Sequence, residues 1–290
     1  MILDTIAASV RKRVEERKRE VPEAELRRRA YKSLEGRMGR EGGSERIPAS
    51  CSETEEKEEA EGFPFQAALK KPGISFICEV KRASPSKGLI APEFPYVDIA
   101  KEYERAGADA VSVLTEPEFF LGNDRYLEEI HREVSLPLLR KDFTIDAYQI
   151  YEAKLLGASA VLLIVSLLTK EELKKFLNIC RELKLSALTE AHSEEEVAVA
   201  AEAGAGIIGI NNRNLKTFEV DVENSRRLRE LAPRDALFVS ESGIRTAEDI
   251  RALYENGTDA VLIGETLMRA NDKRAILNEL THLLPKEPLE

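Results

Sequence analysis

Tryptophan is absent from this chain of 290 residues, and that absence decides nothing. Other shortages are more useful. The three cysteines (Cys51, Cys78, Cys180) and three histidines (His131, His192, His282) are scattered, and no zinc-ligand spacing appears among them. An odd, unpatterned set of thiols suits a reducing compartment, so a cytoplasmic location is expected. No apolar run is long enough to span a bilayer, and the first twenty residues (MILDTIAASVRKRVEERKRE) lack the apolar core of a signal peptide. Positive charge is also short: the formal net charge is -10 and the pI about 5.2. A nucleic-acid backbone is therefore a poor partner, and no membrane association is expected. A small anionic ligand stays open, because local lysines can outweigh the global sign.

What is present is a repeat. Gly107-Ala-Asp-Ala-Val, Gly157-Ala-Ser-Ala-Val, Gly204-Ala-Gly-Ile-Ile and Gly257-Thr-Asp-Ala-Val each follow a charged amphipathic stretch and run into a short apolar segment. These glycines lie about 50 residues apart, twice the ~25 residues of one strand–helix unit in a compact α/β barrel. Between them fall four further apolar segments: ISFICEVK, LPLLRKD, LSALTEA and ALFVSES. Eight strands alternating with helical patterns fit a closed (β/α)₈ TIM barrel over 62–290. An open doubly wound sheet would need a phosphate-binding glycine turn after an early strand. The one G-x-G-x-x-G match, Gly204 to Gly209, follows a helix and enters a strand, the reverse of the dinucleotide fingerprint. Ahead of the barrel, residues 1–33 read as one charged N-terminal helix covering it. Residues 34–61 read as a flexible acidic insertion or linker.

The interleaved strands end in charge. Alternation in FICEVK puts Ile77, Glu79 and Lys81 on one face and Cys78 and Val80 on the other. In LLRKDF only Lys141 or Asp142 can look inward, and Lys141, above Leu139, is the better choice. Glu190 shares a face with Leu188. Asn211 and Arg213 extend the sixth strand, and SESG (Ser240 to Gly243) ends the seventh with Glu241 and Ser242. Charges at buried strand ends are costly unless paired or working, so an acid–base site is expected at the C-terminal mouth. Structural ion pairs closing that mouth are the plainer alternative. Ser84, Ser86 and Lys87, in the loop ASPSKG, suit a phosphate or carboxylate ligand, with plain solvent exposure as the alternative. Gly243 and Gly264, followed by a helical turn in LIGETLMRA, suit phosphate binding after the last two strands.

The segments EVKRASPSKGLI, LTEPEFFLG, LLRKDF, GASAVLLIVSLL, LTEAHSEEE, GINNRNL, SESGI and LIGETLMR, in this order, resemble indole-3-glycerol phosphate synthase. The resemblance implies ring closure, decarboxylation and dehydration of 1-(2-carboxyphenylamino)-1-deoxyribulose 5-phosphate, in tryptophan synthesis. It implies Lys141 as the general acid of ring closure and Glu190 as base or charge partner in dehydration. Lys81, oriented by Glu79, would bind anions or act as a second acid. Asn211, Glu241 and Ser242 would meet substrate hydroxyls or support the lysines. Ser84 and Arg213 would face the ring carboxylate or belong to the polar framework around it. Gly243, Gly264 and the Glu265 backbone would hold phosphate, and Phe120, Phe143 and Leu162 would form the slot for the aromatic ring. No metal and no organic cofactor is implied. A monomer or weak homo-oligomer is expected, with association with other tryptophan-pathway enzymes left open. Two other readings stand beside it: phosphoribosylanthranilate isomerase or a similar phosphate-binding barrel, and a non-catalytic phosphosugar-binding barrel. The EVK and RKD lysines speak against both.

Overall fold

The computed structural model describes residues 2–38, 62–214 and 217–285. Among these, eight parallel strands close on themselves: β1 Ser75–Val80, β2 Ala110–Leu114, β3 Leu138–Lys141, β4 Ala160–Ile164, β5 Ser186–Ala191, β6 Ile207–Asn211, β7 Leu237–Glu241 and β8 Ala260–Ile263. β8 returns to β1 with Ile77 beside Leu262, completing the (β/α)₈ TIM barrel expected from the repeat. Helices precede and follow the strands: α1 Ile2–Glu20, α2 Glu23–Met38, α3 Pro64–Leu69, α4 Tyr96–Ala106, α5 Asp124–Glu133, α6 Ala147–Leu155, α7 Lys170–Glu182, α8 Glu194–Ala203, α9 Glu223–Arg229, α10 Ala247–Glu255, α11 Glu265–Arg269 and α12 Lys273–Thr281. Gly107 and Gly204 end α4 and α8 in the left-handed conformation, with φ of 96° and 82°, which a side chain would resist.

The N-terminal extension corrects the sequence reading. It is two helices, not one over 1–33, and the second runs on to Met38. Pro22 makes the break: it has no N–H to donate, and it disfavours helical geometry at Val21 before it. The rest of the segment expected to be a flexible insertion, 39–61, lies outside the described residues.

Period-two alternation divides the apolar side chains between two cores. Cys78, Val80, Val111 and Val113 face outward into the layer shared with the helices. Ile77, Leu139, Leu188 and Val239 face inward. The strand register puts those four, all from odd-numbered strands, at one height. Below them Ala110, Ala160, Ile207 and Ala260 leave room, which Phe65 and Leu69 of α3 fill. The N-terminal pole of the barrel is thereby plugged, and the opposite pole carries the charges.

Candidate active site

Two residues above the layer of Ile77, Leu139, Leu188 and Val239, the same odd strands contribute Glu79, Lys141, Glu190 and Glu241. The sixth strand makes space for this ring of charge with Gly209, which pairs with Glu190 and lies under Glu241. Lys141 Nζ donates to Glu190 Oε2 at 2.9 Å and to Glu241 Oε2 at 2.8 Å. Lys81 Nζ donates to Glu79 Oε1, and Ser112 Oγ donates to Glu79 Oε2 at 3.4 Å. Asn211 Nδ2 donates to Glu190 Oε1 at 3.3 Å, while its Oδ1 accepts from the Arg213 backbone at 3.0 Å. Asn211 is thus held at both ends.

Burial sets the electrostatics. The side chains of Lys141, Glu190 and Glu241 are 13%, 3% and 2% exposed. Desolvation works against the Lys141 ammonium, but Glu190, Glu241 and Glu79 together raise its pKa above the ordinary lysine value. Desolvation likewise works against Glu190, yet Lys141 and then His192 hold its carboxyl below the usual range. Glu241 goes the other way. Burial first, and the like charges of Glu190 and Glu79, push it up to about 7 in spite of Lys141. The two carboxyls that hold the Lys141 ammonium are therefore not equivalent: Glu190 stays ionised, and Glu241 titrates near neutrality.

The ring of charge forms the floor of a cavity of about 410 Å³. Every residue singled out from the sequence borders it: Glu79, Lys81, Ser84, Phe120, Lys141, Phe143, Leu162, Glu190, Asn211, Arg213, Glu241, Ser242, Gly243, Gly264 and Glu265. On one side Phe120 and Phe143 lie 5.9 Å apart between ring centroids. Their loops are tied by buried carboxylates. Glu116 Oε2 accepts from the Phe120 backbone at 3.1 Å, and Asp142 Oδ1 from the Phe143 backbone at 2.8 Å. Arg13 of α1 reaches both acids, at 3.4 Å and 3.2 Å. On the other side Ser242 and Gly243 take left-handed backbone (φ 69° and 87°) after β7, and Thr266 Oγ1 donates to the Ile244 carbonyl at 3.0 Å, joining the loops after β7 and β8.

Sequence reasoning missed several neighbours. Ile2, Leu3 and Ile6 of α1 roof the cavity, and Arg245 and Arg269 stand at its β7–β8 side, where Lys87 of the ASPSKG loop borders it as the sequence reading allowed. The partial apolar stripe of α1 was the available signal for the first three. Nothing in local pattern distinguishes the two arginines from solvated surface charge.

Carboxylates and an ammonium group gathered at this mouth place the chain among the acid–base enzymes built on the (β/α)₈ barrel. Comparison with known proteins narrows that class. A family model described as Indole-3-glycerol phosphate synthase matches residues 41–280. An indole-3-glycerol phosphate synthase of Ruminiclostridium cellulolyticum is 55% identical over 280 residues, covering 97% of this chain and 98% of its own. That of Lachnoclostridium phytofermentans is 52% identical over 285 residues, covering 98% and 100%. The chain belongs to the indole-3-glycerol phosphate synthase family, carboxy-lyases of tryptophan biosynthesis that act on a phosphorylated sugar derivative. Among solved structures, a mutant tryptophan synthase alpha-subunit from Pyrococcus furiosus matches with a TM-score of 0.56 at 16% identity, covering 73% of this chain and 99% of that one. A thiamine phosphate pyrophosphorylase from the same organism matches with a TM-score of 0.54 at 19% identity, covering 72% and 94%. These two speak for the barrel alone. Among the described residues, no helix is long and apolar enough to cross a membrane.

Proposed function

We propose that the ring of charge performs the family's reaction on 1-(2-carboxyphenylamino)-1-deoxyribulose 5-phosphate, with the following division of work. The aromatic ring lies between Phe120, Phe143 and Leu162, and its carboxylate faces Lys81, Ser84 and Arg213. The phosphate lies at the loops after β7 and β8, against the backbone of Gly243, Gly264 and Glu265. Lys141 faces the sugar carbonyl between them. As the ring carbon attacks, that oxygen becomes an alkoxide, more basic than an ammonium, so Lys141 first stabilises the charge and then gives up its proton. Loss of carbon dioxide restores the aromatic ring and asks little of the protein. Dehydration then needs a proton taken from carbon and one given to the departing hydroxyl. Glu190, ionised beside Lys141, takes the first. Lys81, held by Glu79, is the second acid. Asn211, Glu241 and Ser242 hold hydroxyls and keep Lys141 in place.

The observation that carries this reading is Lys141 Nζ suspended between Glu190 and Glu241 at the floor of an apolar-walled cavity. A binding-only barrel has no use for an ammonium and carboxyls so costly to bury. The buried, unpaired thiols of Cys78 and Cys180 suit a cytoplasmic setting.

The test is to supply the carboxyphenylamino sugar phosphate and follow the fluorescence of the indole product. Wild-type protein is expected to turn it over. Lys141→Met is expected to lose about 10²–10⁴-fold in kcat, remain folded and still bind product. Near-normal turnover by that variant would remove Lys141 from the chemistry.

A further inference from the structure

His192 stands two residues beyond Glu190, on no wall of the cavity, and the reaction as assigned above does not use it. Its surroundings are specific. The backbone N–H of His192 donates to Glu196 Oε2 at 2.8 Å, and ring Nδ1 lies 3.2 Å from the same oxygen. A carboxylate only accepts, so Nδ1 carries a proton. Glu196 is fixed in turn by the first turn of α8, where its backbone N–H donates to Ser193 Oγ at 3.3 Å. The His192 carbonyl accepts from Asn224 Nδ2 of α9 at 3.4 Å. With the ring held in this way, Nε2 points at the back of Glu190, 3.5 Å from Oε1. That nitrogen is sealed from solvent and has no hydrogen-bond partner among the described residues.

We infer that His192 is a positioning residue for Glu190: clamped by Glu196, its imidazolium faces Glu190 Oε1 from the side away from substrate and keeps that carboxylate ionised and oriented as a base. The inference rests on the role of Glu190 given above. The charged groups around His192 favour the imidazolium. Burial alone would lower its pKa, but Glu196 from α8, Glu190 from β5 and Glu241 from β7 outweigh burial and raise it. Lys141 from β3 reaches this cluster through Glu190, and the contributions from β6 and α9, Asn211 and Asn224, are neutral. Glu190 thus lies between two cations, Lys141 on the substrate side and His192 behind. When the reaction draws Lys141 toward the substrate oxygen, the rear cation is the one that stays.

The signal in the sequence was the spacing in LTEAH, where Glu190 and His192 are two apart at a strand end. An ordinary buried histidine would show the same spacing, so the test reads something packing alone does not move. It is the pH profile of kcat for wild type, His192→Gln, Glu196→Gln and the double variant. A cation beside a carboxylate lowers its pKa, so removing the imidazolium makes Glu190 take up its proton at higher pH. The acid limb of His192→Gln is expected to move up by about one pH unit or more. Glu196→Gln is expected to move the same limb the same way by less, and the double variant no further than His192→Gln. KM stays nearly unchanged in all three. A limb that keeps its midpoint while kcat merely scales down, or additive shifts in the double variant, overturns the inference. If His192→Gln fails to fold, Glu196→Gln, at a side chain 24% exposed, decides alone: no shift overturns it. Glu190→Gln separates the two readings. Normal turnover by that variant sinks the role of Glu190 and this inference together. An inactive Glu190→Gln beside an unmoved limb in His192→Gln sinks the inference about His192 only.

Discussion

Gly209 lies directly beneath Glu241: a Cβ built on it would stand 2.3 Å from Glu241 Oε1 and 3.0 Å from Leu188 Cδ1. The glycine is therefore the floor on which the ring of charge rests. Gly209→Ala is expected to drive Glu241 off Lys141 and cost about 1–3 kcal/mol of stability from overpacking. The larger effect falls on turnover, because the ammonium loses one of its two holders. Urea unfolding and kcat, measured on one preparation, check it. An unchanged kcat would mean that Glu241 does not hold Lys141 for the reaction.

Glu241 gives a pH dependence of stability opposite to that of most carboxyls. Its folded-state pKa, about 7, is above the ordinary glutamate value, so the folded chain holds a proton that the unfolded chain has lost. The stability tied to this group is fully present below about pH 4.3 and is lost as pH rises toward 7. Glu241→Gln never ionises. Relative to wild type it is expected to gain roughly 1–3 kcal/mol between pH 5 and pH 8.5. Denaturant titrations at the two pH values test this, and a difference that is flat or falls with pH refutes it.

Arg13 couples the roof to the aromatic slot. It touches Glu116, which holds the Phe120 loop, and Asp142, which holds Phe143, while three residues of its own helix line the cavity. Arg13→Met takes the cation from buried Glu116 and leaves Asp142 with Arg140 alone, 3.7 Å away. A loss of about 3 kcal/mol in stability is expected, the low end for breaking a buried ion pair. A several-fold rise in KM should accompany it, with a smaller change in kcat. Steady-state kinetics beside thermal unfolding separate the two, and an unchanged KM would detach α1 from substrate binding.

The barrel and the membership of its charged ring were readable because alternation is local. Leu139 below Lys141, and Leu188 below Glu190, decide which side chain faces in without knowledge of any neighbour. The height at which residues from different strands meet depends on register, which no single segment contains. Glu79, Lys141, Glu190 and Glu241 could thus be listed from the sequence, but not the fact that Lys141 hangs between two of the acids. Pro22 was there to be read as a helix break, and the charged pattern on both sides of it masked the break. The ties from Arg13 to Glu116 and Asp142 span more than a hundred residues, and only the folded chain brings them together.

Phe65 and Leu69 close the far end of the barrel. Carbon dioxide, water and the finished indole must therefore depart by the doorway through which the sugar phosphate came in, under Ile2, Leu3 and Ile6. Traffic in such a vessel is single file, and the first helix stands at its threshold on every crossing.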